Sequence, residues 1–226
     1  MAAPDLVLFD CDGVLVDSEN TANEVLAAIL GEQGVAITAL EAQVAFIGQS
    51  VEAIRLSCAE RFGVALAEDW HVGYYVRLLP ALANVSPIPG VAELVESLRV
   101  AGQPICVASQ GPAEKMRVTL GATGLLQHFE GRIFSAKSVR HPKPAPDLFL
   151  HAARILGARP ANCVVIEDSV LGVRAGIAAG MRVLAYCPPA SASSMRELGA
   201  HPFHDMKDAA GLRDMQVAAG SNRRCR

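Results

Sequence analysis

Leu6-Val7-Leu8-Phe9-Asp10-Cys11-Asp12-Gly13-Val14-Leu15-Val16-Asp17-Ser18 is the stretch on which the reading of this chain turns. Its four leading apolar residues have no polar alternation, which fits a strand buried on both faces of a parallel sheet. Asp10 stands where that strand emerges at its carboxyl end. Open α/β sheets bind ligands along that edge. Gly13 can relax the backbone so that the carboxylates of Asp10 and Asp12 reach one small volume. At ~4 Å and an effective dielectric of ~20, two carboxylates repel by about 4 kcal/mol, so the pair requires a cation, a shared proton or both. A surface Asp-Gly turn is the structural alternative.

Composition narrows the class. The chain has 226 residues, 51% of them apolar, which suits one large domain or a core domain carrying a smaller one. A formal charge of -3 with no dominant basic face argues against a nucleic-acid partner, and Arg223-Arg224-Cys225-Arg226 reads as a solvated tail. No window approaches the ~18 uninterrupted apolar residues of a membrane span. Met1-Ala2-Ala3-Pro4-Asp5 lacks the basic start of a secretory signal, so a cytoplasmic protein is expected. Six scattered cysteines without a Cys-x-x-Cys pair read as small reduced core residues.

Beyond Ser18 the pattern turns helical as far as about Asn84. Val25, Leu26, Ile29 and Leu30 form one apolar stripe, Thr38 and Glu41 a capping box, and Ser50 can cap a third helix ending near Gly63. A fourth helix runs through Trp70, Tyr74 and Leu78, with Trp70, Tyr74 and Tyr75 expected in its core. Ser86-Pro87-Ile88-Pro89-Gly90 then marks a boundary. Past it, strand-like runs at Ile105 to Ala108, Ile133 to Phe134, Cys163 to Ile166 and Val183 to Ala185 alternate with helical segments. This alternation predicts an α/β fold, a doubly wound Rossmann-like parallel sheet with an inserted α-helical cap. The expected division is 1–17 with 86–226 as the core and 18–85 as the cap. Because the insertion leaves the sheet just after Asp12, it would lie over the carboxylates as a lid.

Three more strand ends carry groups suited to phosphate chemistry. Ser109-Gln110-Gly111-Pro112 offers a hydroxyl and free N–H groups ahead of a helix, an arrangement that binds anions, although Ser109 could serve only as a helix cap. Lys143 sits between Pro142 and Pro144, which suggests a held ammonium but also fits an exposed loop lysine. Val164-Val165-Ile166 ends in Glu167-Asp168-Ser169, where capping by Asp168 or Ser169 is the structural alternative.

Together and in this order, the Asp10-x-Asp12-Gly13 opening, Ser109, Lys143-Pro144 and Glu167-Asp168-Ser169 resemble the haloacid-dehalogenase-superfamily phosphohydrolases with a helical cap. The resemblance covers about residues 5 to 187. It is strongest to the branch holding β-phosphoglucomutase and small sugar-phosphate phosphatases, with Ala108 to Pro112 and Lys115-Met116 similar to the phosphatases. It implies an Mg²⁺-dependent phosphatase in which Asp10 attacks phosphorus and forms an aspartyl-phosphate, while Asp12 acts first as acid and then as base. The implied metal ligands are Asp10, the Asp12 carbonyl and Asp168, with Glu167 orienting a coordinated water. Ser109, Gln110, Gly111 and Lys143 would hold the phosphate of a small ester, and Asp17 and Ser18 would close the opening loop structurally. A monomer or weak homodimer is expected.

Two alternatives stay open. A phosphomutase of the β-phosphoglucomutase type predicts a cap histidine where Ala22 stands and a basic residue in the Gly48-Gln49-Ser50 loop, which continues instead with Val51. A receiver-like phosphorylatable switch uses similar groups but needs an exposed aspartate, against which the cap argues. Arg55, Arg77 and Lys115 could meet a second anionic group or be solvated. His201, His204 and Asp205 read as an ordinary surface loop.

Overall fold

The structure, a computed structural model, describes residues 3–46, 49 and 51–212. The expected cap at Ser50, the Gly48 position and the basic tail at Arg223 to Arg226 lie outside the described residues.

β1 (Leu6–Phe9) occupies the centre of a parallel sheet because each of its residues has a core to enter. Val7 and Phe9 join one apolar cluster, and Leu6 and Leu8 join the cluster on the opposite face. Among the described residues six strands form this sheet, in the order β5-β4-β1-β6-β7-β8. The other five are β4 (Ile105–Ser109), β5 (Ile133–Ser135), β6 (Cys163–Glu167), β7 (Arg182–Tyr186) and β8 (His201–Phe203). β1 pairs in parallel with β4 on one side and β6 on the other, which brings the ends carrying Asp10, Ser109 and Glu167 side by side. The Rossmann-like expectation therefore holds.

Between the strands run α5 (Val91–Val100), α6 (Ala113–Ala122), the short α7 (Leu126–Phe129), α8 (Asp147–Ile155), α9 (Val170–Ala178) and α10 (Ala192–Glu197), and α11 (Met206–Leu212) follows β8. Leu94, Leu98, Met116, Leu120 and Phe129 cover one sheet face; Leu148, Phe149 and Val173 cover the other.

Between β2 (Val16–Asp17) and β3 (Ser86–Pro87) the chain forms α1 (Glu19–Glu32), α2 (Ala39–Phe46), α3 (Val51–Phe62) and α4 (Trp70–Ala81). These helices enclose their own cluster of Leu26, Leu30, Phe46, Cys58, Trp70, Tyr74, Leu78 and Leu82. The capping box at α2 is formed: Thr38 Oγ1 accepts the Glu41 N–H at 3.2 Å, and Glu41 Oε2 accepts the Thr38 N–H at 2.8 Å. Where the chain departs and returns, β2 and β3 pair antiparallel as a two-residue ribbon. The sequence reading did not anticipate this ribbon. It also took residues 201 to 205 for a loop, whereas His201–Phe203 is an edge strand on β7, the position that tolerates Pro202. Among the described residues no helix is long and apolar enough to cross a membrane.

Candidate active site

The sheet fixes Asp10 before its side chain has any partner, because its N–H still donates to the Ile166 carbonyl of β6 at 2.9 Å. The chain then turns tightly. Gly13 donates to the Val16 carbonyl, and Leu15 and Val16 both donate to the Cys11 carbonyl. Gly13 has φ 77°, and a Cβ there would lie 2.1 Å from Asp168 Oδ2, so both conformation and space demand glycine. The same close approach places Asp168 against the Asp10–Asp12 turn.

Lys143 is 4% exposed and is not a solvated loop lysine. Its Nζ donates at 2.6 Å to Asp10 Oδ1 and at 2.6 Å to Glu167 Oε1, and it lies 4.8 Å from the centre of the Phe149 ring. Glu167 is wholly buried, and both its oxygens are engaged: Oε2 accepts the N–H groups of Asp168 and Ser169 and the Ser169 hydroxyl, each at 3.0 Å. Gly172 makes room for it, since a Cβ there would sit 1.7 Å from Oε1. Ser169 caps α9 by accepting the Gly172 N–H, so the capping alternative is realised by Ser169 and not by Asp168. Among the described residues the Asp168 carboxylate accepts no hydrogen bond.

Charge is the unusual property of this corner. Burial would drive Lys143 toward its neutral form, but Asp10 and Glu167 together outweigh it and hold the ammonium above the usual lysine range. Burial raises Asp10 to about 7 against the pull of Lys143, with Glu167 and Asp12 adding to the rise. Asp168 is raised well above the carboxylate range by burial, then by Glu167, Asp10 and Glu19. Asp10, Glu167 and Asp168 thus face a single ammonium, leaving negative charge in surplus. Oxygen donors with excess negative charge fit a hard divalent cation of the Mg²⁺ type, which needs few protein ligands and keeps several waters. Among the described residues no three His, Cys, Asp or Glu side chains form a cage by themselves, so backbone carbonyl and water would complete the set.

Asp12 faces different partners. Its Oδ1 accepts from Lys115 Nζ at 2.7 Å and from the Ser18 hydroxyl. Burial alone would raise its pKa, but the charge and hydrogen bond of Lys115, with help from Ser18, bring it below the ordinary value. Neither residue was given this role by the sequence. Ser18 occupies the N-cap of α1 without capping it, and its hydroxyl turns to Asp12 instead. Lys115 stands 103 positions from its partner, on the first turn of α6. Arg77, the other candidate for an anionic ligand, is bound by both its amino groups to Glu32 at 2.6 and 2.9 Å on the exterior.

Ser109 closes β4 and is buried; among the described residues its hydroxyl accepts just a long 3.4 Å bond from the Gly111 N–H, and Pro112 rather than Ser109 precedes α6 as its cap residue. Ser135 donates at 2.7 Å to the Gly111 carbonyl and fixes the loop. A Cβ on Gly111 would meet Asp12 Oδ2 at 3.8 Å, so this loop borders the second carboxylate. Two cavities, of about 1090 and 490 Å³, adjoin here and share Asp12, Gln49, Gln110, Lys143 and Leu171 in their walls.

A family model described as haloacid dehalogenase-like hydrolase matches residues 4–180. The chain is 32% identical over 189 residues to 6-phosphogluconate phosphatase of Escherichia coli (strain K12), covering 83% of this chain and 84% of that protein. It is 30% identical to hexitol phosphatase A of the same organism, covering 84% and 87%. Among solved structures, a HAD family hydrolase from Deinococcus radiodurans R1 with bound phosphate and sodium superimposes with a TM-score of 0.77. It shares 33% identity over 94% of this chain and 96% of that one.

Proposed function

This chain belongs to the haloacid dehalogenase-like hydrolases and is a phosphoric monoester hydrolase, and from that premise we propose that it cleaves a small sugar or polyol phosphate through an aspartyl-phosphate on Asp10. One observation carries the reading. Lys143 occupies Asp10 Oδ1, leaving Oδ2 without a hydrogen bond among the described residues, and Asp10 lines a cavity together with Ser109 and Gln110. A carboxylate so held is oriented for attack without rotamer search.

Asp10 attacks phosphorus, and the departing oxygen takes its proton from Asp12. In the second half Asp12 accepts a proton from the water that hydrolyses the acyl phosphate. Held by Lys115 and Ser18, Asp12 is disposed to be ionised, which suits the second half; for the first half it would first take up a proton from solvent, which it then passes to the departing oxygen. Ser109 and the N–H groups of Gln110 and Gly111 would receive the phosphoryl oxygens together with Lys143. Bound at Asp10, Asp168 and the Asp12 carbonyl, Mg²⁺ would supply the positive charge that lets a carboxylate approach a dianionic ester. Glu167, with both oxygens engaged, would serve that site by holding Lys143 and the turn that carries Asp168.

The helices of residues 18–85 act in this reading as a cap that admits the leaving group and excludes water. Gln49, His71 and Tyr74 reach the smaller cavity above Asp12 and Lys143. Hydrolysis is preferred to mutase chemistry because Ala22, at the position expected for a mutase histidine, packs against the helical cluster. The test is phosphate release from a panel of sugar and polyol phosphates with and without Mg²⁺. Turnover should vanish in chelator and fall at least ~10³-fold in Asp10→Asn. Undiminished release in either condition contradicts the reading.

A further inference from the structure

The two oxygens of Asp12 have different neighbours. Oδ1 accepts from the Lys115 ammonium at 2.7 Å and from the Ser18 hydroxyl, whereas Oδ2 accepts no hydrogen bond among the described residues. Oδ2 lies on the side of the Ser109-Gln110-Gly111 loop. A Cβ on Gly111 would be 3.8 Å from it, 4.0 Å from Ser109 Oγ and 3.6 Å from Lys115 Cδ, so the lysine stem runs along that same loop. With its side chain 13% exposed, Lys115 is not a solvated surface partner. A single bond from Ser18 would leave the carboxyl group free to pivot. A second donor, arriving from the first turn of α6, fixes its plane. The phase of α6 is itself held: Thr119, one turn beyond Lys115, meets Cys11 Sγ at 3.8 Å, and Val118 packs against the helical cluster.

We propose that Lys115 is a positioning residue for proton transfer: by donating to Asp12 Oδ1 it reserves that oxygen as an acceptor and confines the travelling proton to Oδ2, beside the phosphoryl site. This rests on the phosphatase reading and names a residue that its chemistry requires. As Asp10 bonds to phosphorus, the ester P–O bond breaks with its electron pair on the departing oxygen, which takes the proton from Oδ2. The carboxylate so formed accepts a proton from water, whose oxygen bonds to phosphorus while the bond to Asp10 breaks and its electron pair returns to that carboxylate. The Lys115 bond serves both halves, because the carbonyl oxygen of a neutral carboxyl group still accepts. Without it the proton would be shared between two oxygens, of which Oδ2 is the one that borders the loop.

The test separates esters by their need for a proton. The alkoxide departing from a sugar or polyol phosphate is strongly basic and must be protonated, whereas 4-nitrophenolate leaves without a proton. For both, kcat/KM reports the steps up to the phosphorylated enzyme. Lys115→Met, similar in length and uncharged, should lower kcat/KM about 100-fold for the alkyl ester that the wild type cleaves fastest, and less than ~3-fold for 4-nitrophenyl phosphate. Lys115→Gln provides the same comparison should the methionine variant not fold. Equal losses on the two esters, or undiminished cleavage of the alkyl ester, overturn the proposal and leave Lys115 a structural ion pair. If the wild type releases phosphate from neither ester, the phosphatase reading falls separately. The crystal structure of the variant then still decides the positioning role: an Asp12 carboxyl group turned away from Gly111 supports it, and an unmoved one refutes it.

Discussion

Asp168 and Glu167 are neighbours in sequence but are treated oppositely by the fold. Glu167 is buried with both oxygens engaged, while Asp168 borders the same carboxylates with no hydrogen bond among the described residues. Such a group lowers stability in order to be available to a ligand. Asp168→Asn should therefore raise the melting temperature of metal-free protein by roughly 2–4 °C, on the order of 1 kcal/mol, by removing a like charge. The same substitution should abolish stabilisation by Mg²⁺, which in the parent protein reaches roughly 5–10 °C at a hundredfold excess over Kd. Calorimetric scans with and without Mg²⁺ measure both; a fall in the metal-free midpoint would count against the assignment. Glu167→Gln keeps the shape of the side chain but weakens its hold on Lys143. It should lower kcat/KM by about 10–100-fold with little change in the circular dichroism spectrum. Full activity in that variant would reduce Glu167 to a packing residue.

At the scale of elements, the strand-end groups were legible because each depends on a few contiguous residues: an apolar run that must be buried and the polar residue that follows it. The partners of Asp12 were not. Lys115 reaches it through the phase of α6, and Ser18 through the two-residue ribbon of β2 and β3, both set by packing far from Asp12 in the chain. β8 was hidden for a related reason, as three residues containing a proline carry no strand signal away from an edge. The separate cluster around Leu78 gives the proposed cap an independent core. Leu78→Ala should cost about 2–5 kcal/mol and act locally. Hydrogen exchange should accelerate in α1, α3 and α4 while β1, β4 and β6 keep their protection. Equal acceleration in both regions would mean that insertion and sheet unfold as one unit.

For the whole molecule, the parallel order β4-β1-β6 brings the ends carrying Ser109, Asp10 and Glu167 into one corner, where Lys143 donates to both Asp10 and Glu167. The architecture was readable from the alternation of strands and helices, because doubly wound sheets permit few ways to bury such runs. Which residues line each cavity was not readable, since Lys137, Lys143 and Tyr74 come together across elements only after folding. The central claim is that Asp10, and not Asp12, becomes phosphorylated. Acid quenching of turning-over enzyme, reduction with borohydride and sequencing of the opening peptide by mass spectrometry tests it directly, since an aspartyl-phosphate is reduced to homoserine. The account predicts homoserine at position 10 and unmodified aspartate at position 12. Homoserine at position 12, or none at either position while phosphate is being released, would contradict it.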